Sequence, residues 1–175
     1  KYLKNSSKPY TGDISSKFEN GKNKIAGQYK EGKRTGKWTF FYKNGSKKDE
    51  GNYLNGSMHG EWVSYSKDGV TVSKGEYVID KKNGLWKYWY NNGKKEKEVQ
   101  FVDDKRSGKS MAWYSEGKEK TLSNYIAGKL DGEFLEWDRD GKKISEGYYK
   151  NTKKWSGLFG NDHYLEGQKG SLVRK

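Results

Sequence analysis

Glycine and aromatic positions recur along this chain with a period of 24 residues. Two glycine columns hold the period over six copies: Gly12, Gly36, Gly60, Gly84, Gly108 and Gly132, and Gly21, Gly45, Gly69, Gly93, Gly117 and Gly141. Two aromatic columns keep the same register: Tyr29, Tyr53, Tyr77, Phe101, Tyr125 and Tyr149, and Phe41, Tyr65, Trp89, Trp113 and Trp137. A fixed period of this length indicates a repeat architecture.

Each copy predicts one β-hairpin. The residues before the second glycine column are mostly Asn or Asp: Asn20, Asn44, Asp68, Asn92, Glu116 and Asp140. Asn-Gly and Asp-Gly between aromatic-rich runs favour a type I′ turn, because both central residues need positive φ. In the second copy we expect strands near residues 37–42 and 49–54, with a looser turn over residues 55–59.

The pattern predicts an all-β fold. Glycine pairs in every copy would interrupt helices, which excludes helical repeats. Strand alternation puts Trp38, Phe40 and Tyr42 on one face and leaves Phe41 on the other, so both faces carry aromatic surface. We therefore expect an elongated single-layer antiparallel β-meander built from tandem 24-residue hairpin repeats, in which stacked aromatic columns replace a core.

One domain accommodates the whole pattern. We expect an N-terminal extension over residues 1–8 and the repeat array over residues 9–167. The array has about six full copies and a shortened capping copy from Gly157, which follows a one-residue slip in residues 152–157. Residues 168–175 form a basic C-terminal tail.

Composition supports an ordered protein with a thin core. Hydrophobic residues make up 30% of the chain, below the ~45–50% of ordinary globular domains. Aromatic residues reach 15%, whereas disordered chains are poor in them. The chain has no cysteine, which excludes disulfides and thiolate zinc sites and would suit an exported protein. It starts at Lys1, as expected of a processed or excised chain, and no apolar run is long enough to predict a transmembrane segment.

The net charge of +13 is arranged in register with the repeat. One loop position predicts an anion-binding ladder: Lys33, Lys81, Lys105, Lys129 and Lys153. A second set would line the opposite edge: Lys22, Lys94, Lys118 and Lys142. Such ladders attract anionic partners, phospholipid head groups among them. The alternative interpretation is that turn lysines protect the sheet edges and keep the protein soluble. Specific nucleic-acid binding is not expected, because no known binding motif accompanies the charge.

The aromatic stripe is the expected docking surface for a protein partner, whose identity the sequence does not give. Its candidate interaction residues are Trp38, Trp62, Trp86, Trp89, Trp113 and Trp137.

No catalytic residue, cofactor or metal site is predicted, and we expect a protein that is not an enzyme. The two histidines, His59 and His163, have no second histidine or cysteine nearby to complete a metal site or a nucleophile pair. Residues 138–141 resemble the start of a calcium loop, but Tyr149 stands at its twelfth position, where a glutamate is required.

Residues 53–62 (YLNGSMHGEW) and 125–134 (YIAGKLDGEF) resemble MORN repeats, and the bacterial YwqK-type antitoxin variant most closely. The resemblance covers roughly residues 9–167. It implies a non-catalytic β-meander that mediates protein interaction or assembly, possible binding to phospholipid head groups, and, for the antitoxin subgroup, a toxin partner. Asp80, Asp104 and Thr152 replace a glycine of the pattern, so we expect those loops to differ in shape.

A second class of repeat also uses tandem glycine and aromatic hairpins. Choline-binding and cell-wall-binding modules pack aromatic pairs into ligand sites between hairpins, and Trp89-Tyr90 and Trp113-Tyr114 are superficially similar. A carbohydrate-binding or choline-binding module is therefore the alternative function.

Overall fold

The computed structural model describes residues 8–165 and the backbone of residues 168–170. The strands are β1 (Gly12–Lys17), β2 (Asn23–Lys30), β3 (Lys33–Phe41), β4 (Lys47–Leu54), β5 (Ser57–Tyr65), β6 (Thr71–Val78), β7 (Lys81–Trp89), β8 (Lys95–Val102), β9 (Lys105–Trp113), β10 (Glu119–Ile126), β11 (Lys129–Trp137), β12 (Lys143–Lys150), β13 (Lys153–Phe159), β14 (Asp162–Leu165) and β15 (Gln168–Gly170). The described residues contain no helix, and strands follow one another in chain order. The predicted all-β antiparallel meander is confirmed.

The chain divides into two compact units. Unit 1 comprises residues 1–83 and 91–93, and unit 2 comprises residues 84–90 and 94–175. The predicted N-terminal extension lies outside the described residues except for Lys8, and so do residues 166–167 and 171–175. Residues 168–170 of the predicted tail form β15, which pairs with β14.

Tryptophan packing over glycine forms the core of unit 1. Trp38 is fully buried, and Trp62 is 8% exposed. A Cβ atom on Gly27 would lie within 2.7 Å of three indole atoms of Trp38, and one on Gly51 within 2.5 Å of three indole atoms of Trp62. These contacts are closer than real Cβ atoms make, so only glycine lets the indoles lie flat on the neighbouring strand. We call the face that carries these tryptophans the front face.

Unit 2 keeps this packing with different residues. Ser110 holds the repeat position of Trp38, Trp62 and Trp86, and its cross-strand partner is Val99 rather than glycine. Val99 is 3% exposed, so the larger aliphatic side chain fills part of the space that the smaller serine leaves. Phe134 pairs with both Ser123 and Gly147, again a large side chain against small ones. Side-chain volume is thus balanced across strands, as close packing requires.

Rings on the front face contact each other edge to face. In unit 1, Trp38 lies between Tyr29 and Tyr53, with ring centroids 5.3 and 5.7 Å away, and Trp62 lies 5.3 Å from Tyr53. Unit 2 repeats this arrangement, with Tyr149 between Phe134 at 5.3 Å and Phe159 at 5.1 Å. T-shaped pairs at such distances stabilise by about 0.5–1.5 kcal/mol beyond their buried area. Most contacts join an aromatic residue to one on the next strand, so they link the repeats to each other.

The first glycine column forms bulges beside the tryptophans. Gly36 has φ +62°, and Gln28 pairs with Thr35 while Ala26 pairs with Thr39, so extra residues lie on β3. The bulge leaves carbonyls of Gln28 and Thr35 free to accept hydrogen bonds from Trp38 Nε1, at 3.1 and 3.2 Å. The buried indole N–H is therefore satisfied.

The two turn types are exchanged relative to the prediction. At the Asn-Gly turns only the glycine has positive φ: Gly45 has φ +92° and Asn44 does not. Gly45 N donates to Tyr42 O and Tyr42 N donates to Ser46 O, both at 2.9 Å, which closes a three-residue loop with a left-handed glycine. The expected type I′ geometry is wrong here, because the register of the flanking strands leaves room for three loop residues.

The connecting turns have the type I′ pattern instead. Asn55 and Gly56 are the two residues between β4 and β5, and both have positive φ, +53° and +99°. The same pattern recurs at Glu31-Gly32, Ile79-Asp80, Asp103-Asp104, Ala127-Gly128 and Asn151-Thr152. The predicted looser turn over residues 55–59 is therefore wrong. The second turn residue donates its N–H to the preceding copy: Gly56 N donates to Arg34 O at 2.9 Å, and Gly32, Asp80, Gly128 and Thr152 make the equivalent bond.

The three departures from glycine do not change these turns. Asp80, Asp104 and Thr152 have φ of +63°, +65° and +72°, and the glycines at the same position have φ of +77° to +99°, so all of these turns share the left-handed conformation at their second residue. The expectation that their loops differ in shape is wrong, since the strands impose the left-handed conformation on whatever residue is present. Thr152 is the strained case, because a β-branched side chain disfavours positive φ.

Candidate interaction surfaces

The structure separates the six candidate tryptophans into two sets. Trp38, Trp62 and Trp86 are 0, 8 and 4% exposed, and their indoles belong to the front-face core. A buried ring offers no surface to a partner without unfolding its strand, so these three are core residues. Trp89, Trp113 and Trp137 are only half-buried and retain surface for contact.

The second set lies at the ends of strands β7, β9 and β11. Each copy fixes the next at this point, because a tyrosine hydroxyl donates to a tryptophan carbonyl. Tyr90 Oη lies 2.8 Å from Trp113 O, and Tyr114 Oη lies 2.9 Å from Trp137 O. Tyr42 Oη makes the same bond to Tyr65 O in unit 1. The tryptophan backbones are thus held rigidly, while the rings remain partly open.

The half-buried tryptophans of unit 2 share a face with an apolar strip. Cross-strand pairing runs from Met111 to Leu122 and from Leu122 to Leu135. Trp113 lies two residues from Met111 on β9 and therefore points to the same face. We call the face opposite the core the back face, and Met111, Leu122 and Leu135 the apolar strip. Exposed leucines extend it: Leu85 is 44% and Leu158 is 40% exposed.

A shallow groove lies at the Met111 end of the strip. It has a volume of about 370 Å³ and is lined by Leu85, Glu98, Gln100, Lys109 and Met111. Glu98 forms an ion pair with Lys95 at 2.8 Å, at the border of the apolar surface. The unit 2 back face therefore combines an apolar centre with a charged border, as protein interfaces do.

The back face of unit 1 has the opposite character. Glu50 occupies its centre and forms ion pairs with Lys37 at 3.1 Å and Lys47 at 2.9 Å. Tyr65 Oη donates to Glu50 Oε1 at 2.6 Å. The bond from Tyr65, together with those from the two lysines, lowers the pKa of Glu50 to about 2. Burial and the same carboxylate raise the pKa of Tyr65 to about 12. This face is closed by its own ion-pair network.

The predicted anion-binding lysines are exposed at the connecting turns. Lys33, Lys81, Lys105, Lys129 and Lys153 each begin a strand. None of the ion pairs found within the described residues involves them.

Sequence reasoning missed an aliphatic column beside this ladder. Val102 and Ile126 are 53% and 63% exposed, and they pair directly with Lys105 and Lys129. Leu54, 51% exposed, holds the same position in unit 1. The signal was the same 24-residue period, which an aliphatic column shares with the aromatic ones.

The neighbouring basic position is used for packing. Arg34 lies 4.7 Å from the centre of the Trp38 ring and donates to Tyr53 Oη at 2.9 Å. Burial alone would lower the pKa of Arg34, but hydrogen bonds and electrostatic attraction from Tyr29 and Tyr53 together outweigh it, so the pKa is raised. Arg106 contacts Tyr125 in the same way, with its guanidinium 5.2 Å from the ring centre. These cations stabilise the aromatic rows rather than an external ligand.

Lysines of the opposite edge also have structural contacts. Lys22 Nζ donates to Asn44 O at 2.6 Å, and Lys94 Nζ donates to Glu116 O at 2.7 Å. Both bonds connect one Asn-Gly-type turn to the next copy. At Lys22 and Lys94, the opposite edge therefore fixes neighbouring turns to each other.

The histidines stay apart, as their sequence positions suggested. His59 lies in β5 and has a buried Nδ1 without a hydrogen-bond partner, and His163 is exposed in β14. Within residues 8–165, no three His, Asp or Glu side chains come together as metal ligands. The described part of the chain contains no helix that is long and apolar enough to cross a membrane.

Comparison with known families gives a match to a repeat family. A search of curated proteins finds no match. Residues 34–55, 58–78, 82–103 and 130–151 each match the MORN repeat variant, a non-catalytic repeat type linked to protein or membrane binding. The finer resemblance to the bacterial YwqK-type subgroup stays a prediction. The predicted likeness to MORN repeats is confirmed for these four segments, which together span just under half of the chain.

Proposed function

We propose that this protein is a non-catalytic scaffold that binds a protein partner through the back face of unit 2. The observation that carries the proposal is the apolar strip with its half-buried tryptophans, at a position where unit 1 has an ion-pair network. Burial of exposed leucine and tryptophan surface on binding would supply about 25 cal/mol per Å². Trp113 and Trp137 are the best anchors, because tryptophan dominates binding energy at protein interfaces.

Chemical cross-linking of the intact chain to its partners, with two matched variants, tests this proposal. The first variant is Met111→Lys with Leu135→Lys, which places charges in the strip. The control is Thr39→Lys with Val63→Lys, which changes positions of the corresponding row in unit 1. We expect a partner that cross-links to the parent and the control but not to the first variant. Equal loss from both variants would contradict the proposal, after urea unfolding has shown that both are folded.

A second candidate function is binding to an anionic lipid surface through the connecting turns of unit 2. Exposed Lys105 and Lys129, each beside an exposed aliphatic side chain, support it. Cations attract anionic head groups by about 1 kcal/mol each, and aliphatic side chains at the same level gain by entering the interface.

Vesicle sedimentation at physiological salt tests the second candidate. Lys105→Gln with Lys129→Gln should weaken binding to phosphatidylserine vesicles roughly 30-fold, since two charges contribute about 2 kcal/mol. The matched control is Lys118→Gln with Lys142→Gln on the opposite edge. Equal weakening by both pairs would indicate nonspecific attraction to the net charge. A separate titration of the parent with choline and with wall polysaccharide tests the alternative function, a carbohydrate-binding or choline-binding module.

A further inference from the structure

The Asn-Gly pairs of this chain are chemically unequal in the folded state. There are five pairs: Asn20-Gly21, Asn44-Gly45, Asn55-Gly56, Asn83-Gly84 and Asn92-Gly93. Glycine leaves its own amide nitrogen unhindered, so that nitrogen is able to attack the asparagine side-chain carbonyl carbon. Because each pair has the same local chemistry, differences between them come from the contacts that hold the asparagine side chain.

Two of the pairs are held on both sides of the amide group. Asn44 Nδ2 donates to Lys67 O at 2.9 Å, and Asn44 Oδ1 accepts from Ser46 N at 3.1 Å and from Ser46 Oγ at 2.7 Å. Asn20 Nδ2 donates to Lys43 O at 2.8 Å, and Asn20 Oδ1 accepts from Lys22 N at 3.2 Å. Rotation of either side chain toward the following nitrogen would break these bonds. Asn83 and Asn92 also have interaction partners.

Asn55 has no such restraint. It is exposed, and its side chain makes no hydrogen bond within the described residues. It occupies the first position of a two-residue turn with φ +53°, a conformation that is sparsely populated in non-glycine residues. The one contact that opposes the reaction is the bond from Gly56 N to Arg34 O, and the other Asn-Gly turns have a comparable bond at Gly21 N and Gly45 N.

We propose that Asn55 is a site of spontaneous deamidation in the folded protein. Gly56 N loses its proton and attacks Asn55 Cγ, forming a C–N bond and expelling the side-chain nitrogen as ammonia. Water then opens the five-membered imide at either carbonyl, which gives an aspartyl or an isoaspartyl residue. The reaction needs water alone and involves no oxidation or reduction.

Modification would change both the shape and the charge of this turn. An isoaspartyl residue adds a methylene group to the main chain of a two-residue turn, which is incompatible with the bond from Gly56 N to Arg34 O. Either product is a carboxylate, ionised at neutral pH. The turn lies against Lys33, since a Cβ on Gly56 would lie 3.9 Å from Lys33 Cβ. The new charge would therefore stand beside an exposed lysine of the connecting-turn edge.

Incubation of the intact chain in mildly alkaline buffer, followed by peptide mapping, tests the proposal. Mass spectrometry measures the conversion at each Asn-Gly pair, and electron-transfer fragmentation separates aspartyl from isoaspartyl products. We expect Asn55 to react about fivefold faster than Asn20 and Asn44. This factor corresponds to a difference of about 1 kcal/mol in the free energy needed to free the asparagine side chain from its local contacts. Equal rates at the three sites in the folded chain would overturn the proposal.

Two further measurements show whether the fold causes the difference. In concentrated urea the three sites should react at similar rates, and a persisting excess at Asn55 would overturn the structural explanation. Ser46→Ala removes one restraint on Asn44 and should accelerate that site several-fold without changing Asn55. No change at Asn44 would refute the role assigned to side-chain hydrogen bonds. Asn55→Ser confirms the assignment of the modified peptide, because it removes the reacting amide.

Discussion

Two substitutions in unit 2 test the rule that a buried tryptophan requires glycine as its partner on the neighbouring strand. The perturbation is Val99→Gly combined with Ser110→Trp, which would rebuild the pair that Gly51 and Trp62 form in unit 1. Each change alone breaks the volume balance: the first leaves a hole, and the second forces an indole against a buried valine. Together they should restore close packing.

The magnitudes follow from burial. Val99 is 3% exposed, so its removal costs about 2–4 kcal/mol, including the glycine penalty within a strand. Overpacking by Ser110→Trp alone costs about 1–3 kcal/mol. In the double variant the indole fills the space and buries about 150–250 Å² of mostly apolar surface. We expect a stability near the parent, which requires a coupling energy of at least about 3 kcal/mol, the sum of the smallest single losses.

Urea unfolding of the parent, both single variants and the double variant measures this coupling directly. Because the array has two compact units, the transition should be followed by Trp fluorescence and by circular dichroism. Non-coincident transitions would then be analysed by unit. Additive losses in the double variant would refute the packing rule, since they would mean that Ser110 and Val99 do not share one volume.

Three further outcomes are expected. Gly51→Ala should lower the free energy of unfolding by more than Gly69→Ala, measured in urea, because a Cβ would meet an indole at Gly51, whereas at Gly69 it would meet nothing within 4 Å and add only the strain of φ +83°. The pKa of Glu50 is about 2, below its value of about 4.3 in the unfolded chain. Ionised Glu50 should therefore contribute about 1–3 kcal/mol to the free energy of unfolding above about pH 4.3, and this contribution should fall as the pH drops toward 2. Glu50→Gln should flatten this part of a thermal-melt pH profile. Thr152→Gly should stabilise by about 1 kcal/mol in thermal melts, because it removes a β-branched residue from φ +72°.

The sequence predicts the backbone conformation well at positions where one physical requirement explains the residue type. All twelve glycines of the two columns have positive φ, because no other residue adopts that conformation without cost. The turn type at Asn44-Gly45 was wrong for a different reason. The Asn-Gly dipeptide tolerates positive φ at both residues, but the register of the flanking strands decides the length of the loop. That register includes a bulge at Phe40 and Phe41, which the residues of the turn do not reveal.

Surface exposure is less predictable because each bulge changes which cross-strand neighbours a side chain meets. The columns of Trp86 and Trp89 look alike in the sequence, yet the first is 4% exposed and the second half-buried. The difference arises from the partner strand: Trp86 pairs with Val99 on the front face, whereas Trp89 pairs with Lys95 beyond a bulge. Aromatic character alone therefore does not identify a docking residue in a sheet of this kind.

Positions at which the copies differ distinguish residues needed for packing from residues available for binding better than the conserved columns of the repeat do. Where Ser110 replaces a tryptophan, the residue across the strand changes as well, to Val99, and the packing explains both substitutions. Leu122 holds the repeat position that Glu50 has in unit 1, where Glu50 has two lysine partners. The flanking copies of unit 2 keep a pair of this kind, Glu98 with Lys95 and Glu146 with Lys143, so the Leu122 copy gives it up. Leu122 itself is 9% exposed, whereas Leu135 is half-buried and Leu85 and Leu158 are 44% and 40% exposed. A departure that packing does not require, and that leaves apolar surface in water, needs a contact outside the copy to be stabilising. That asymmetry is why the back face of unit 2, rather than the buried aromatic row, is the surface to test first.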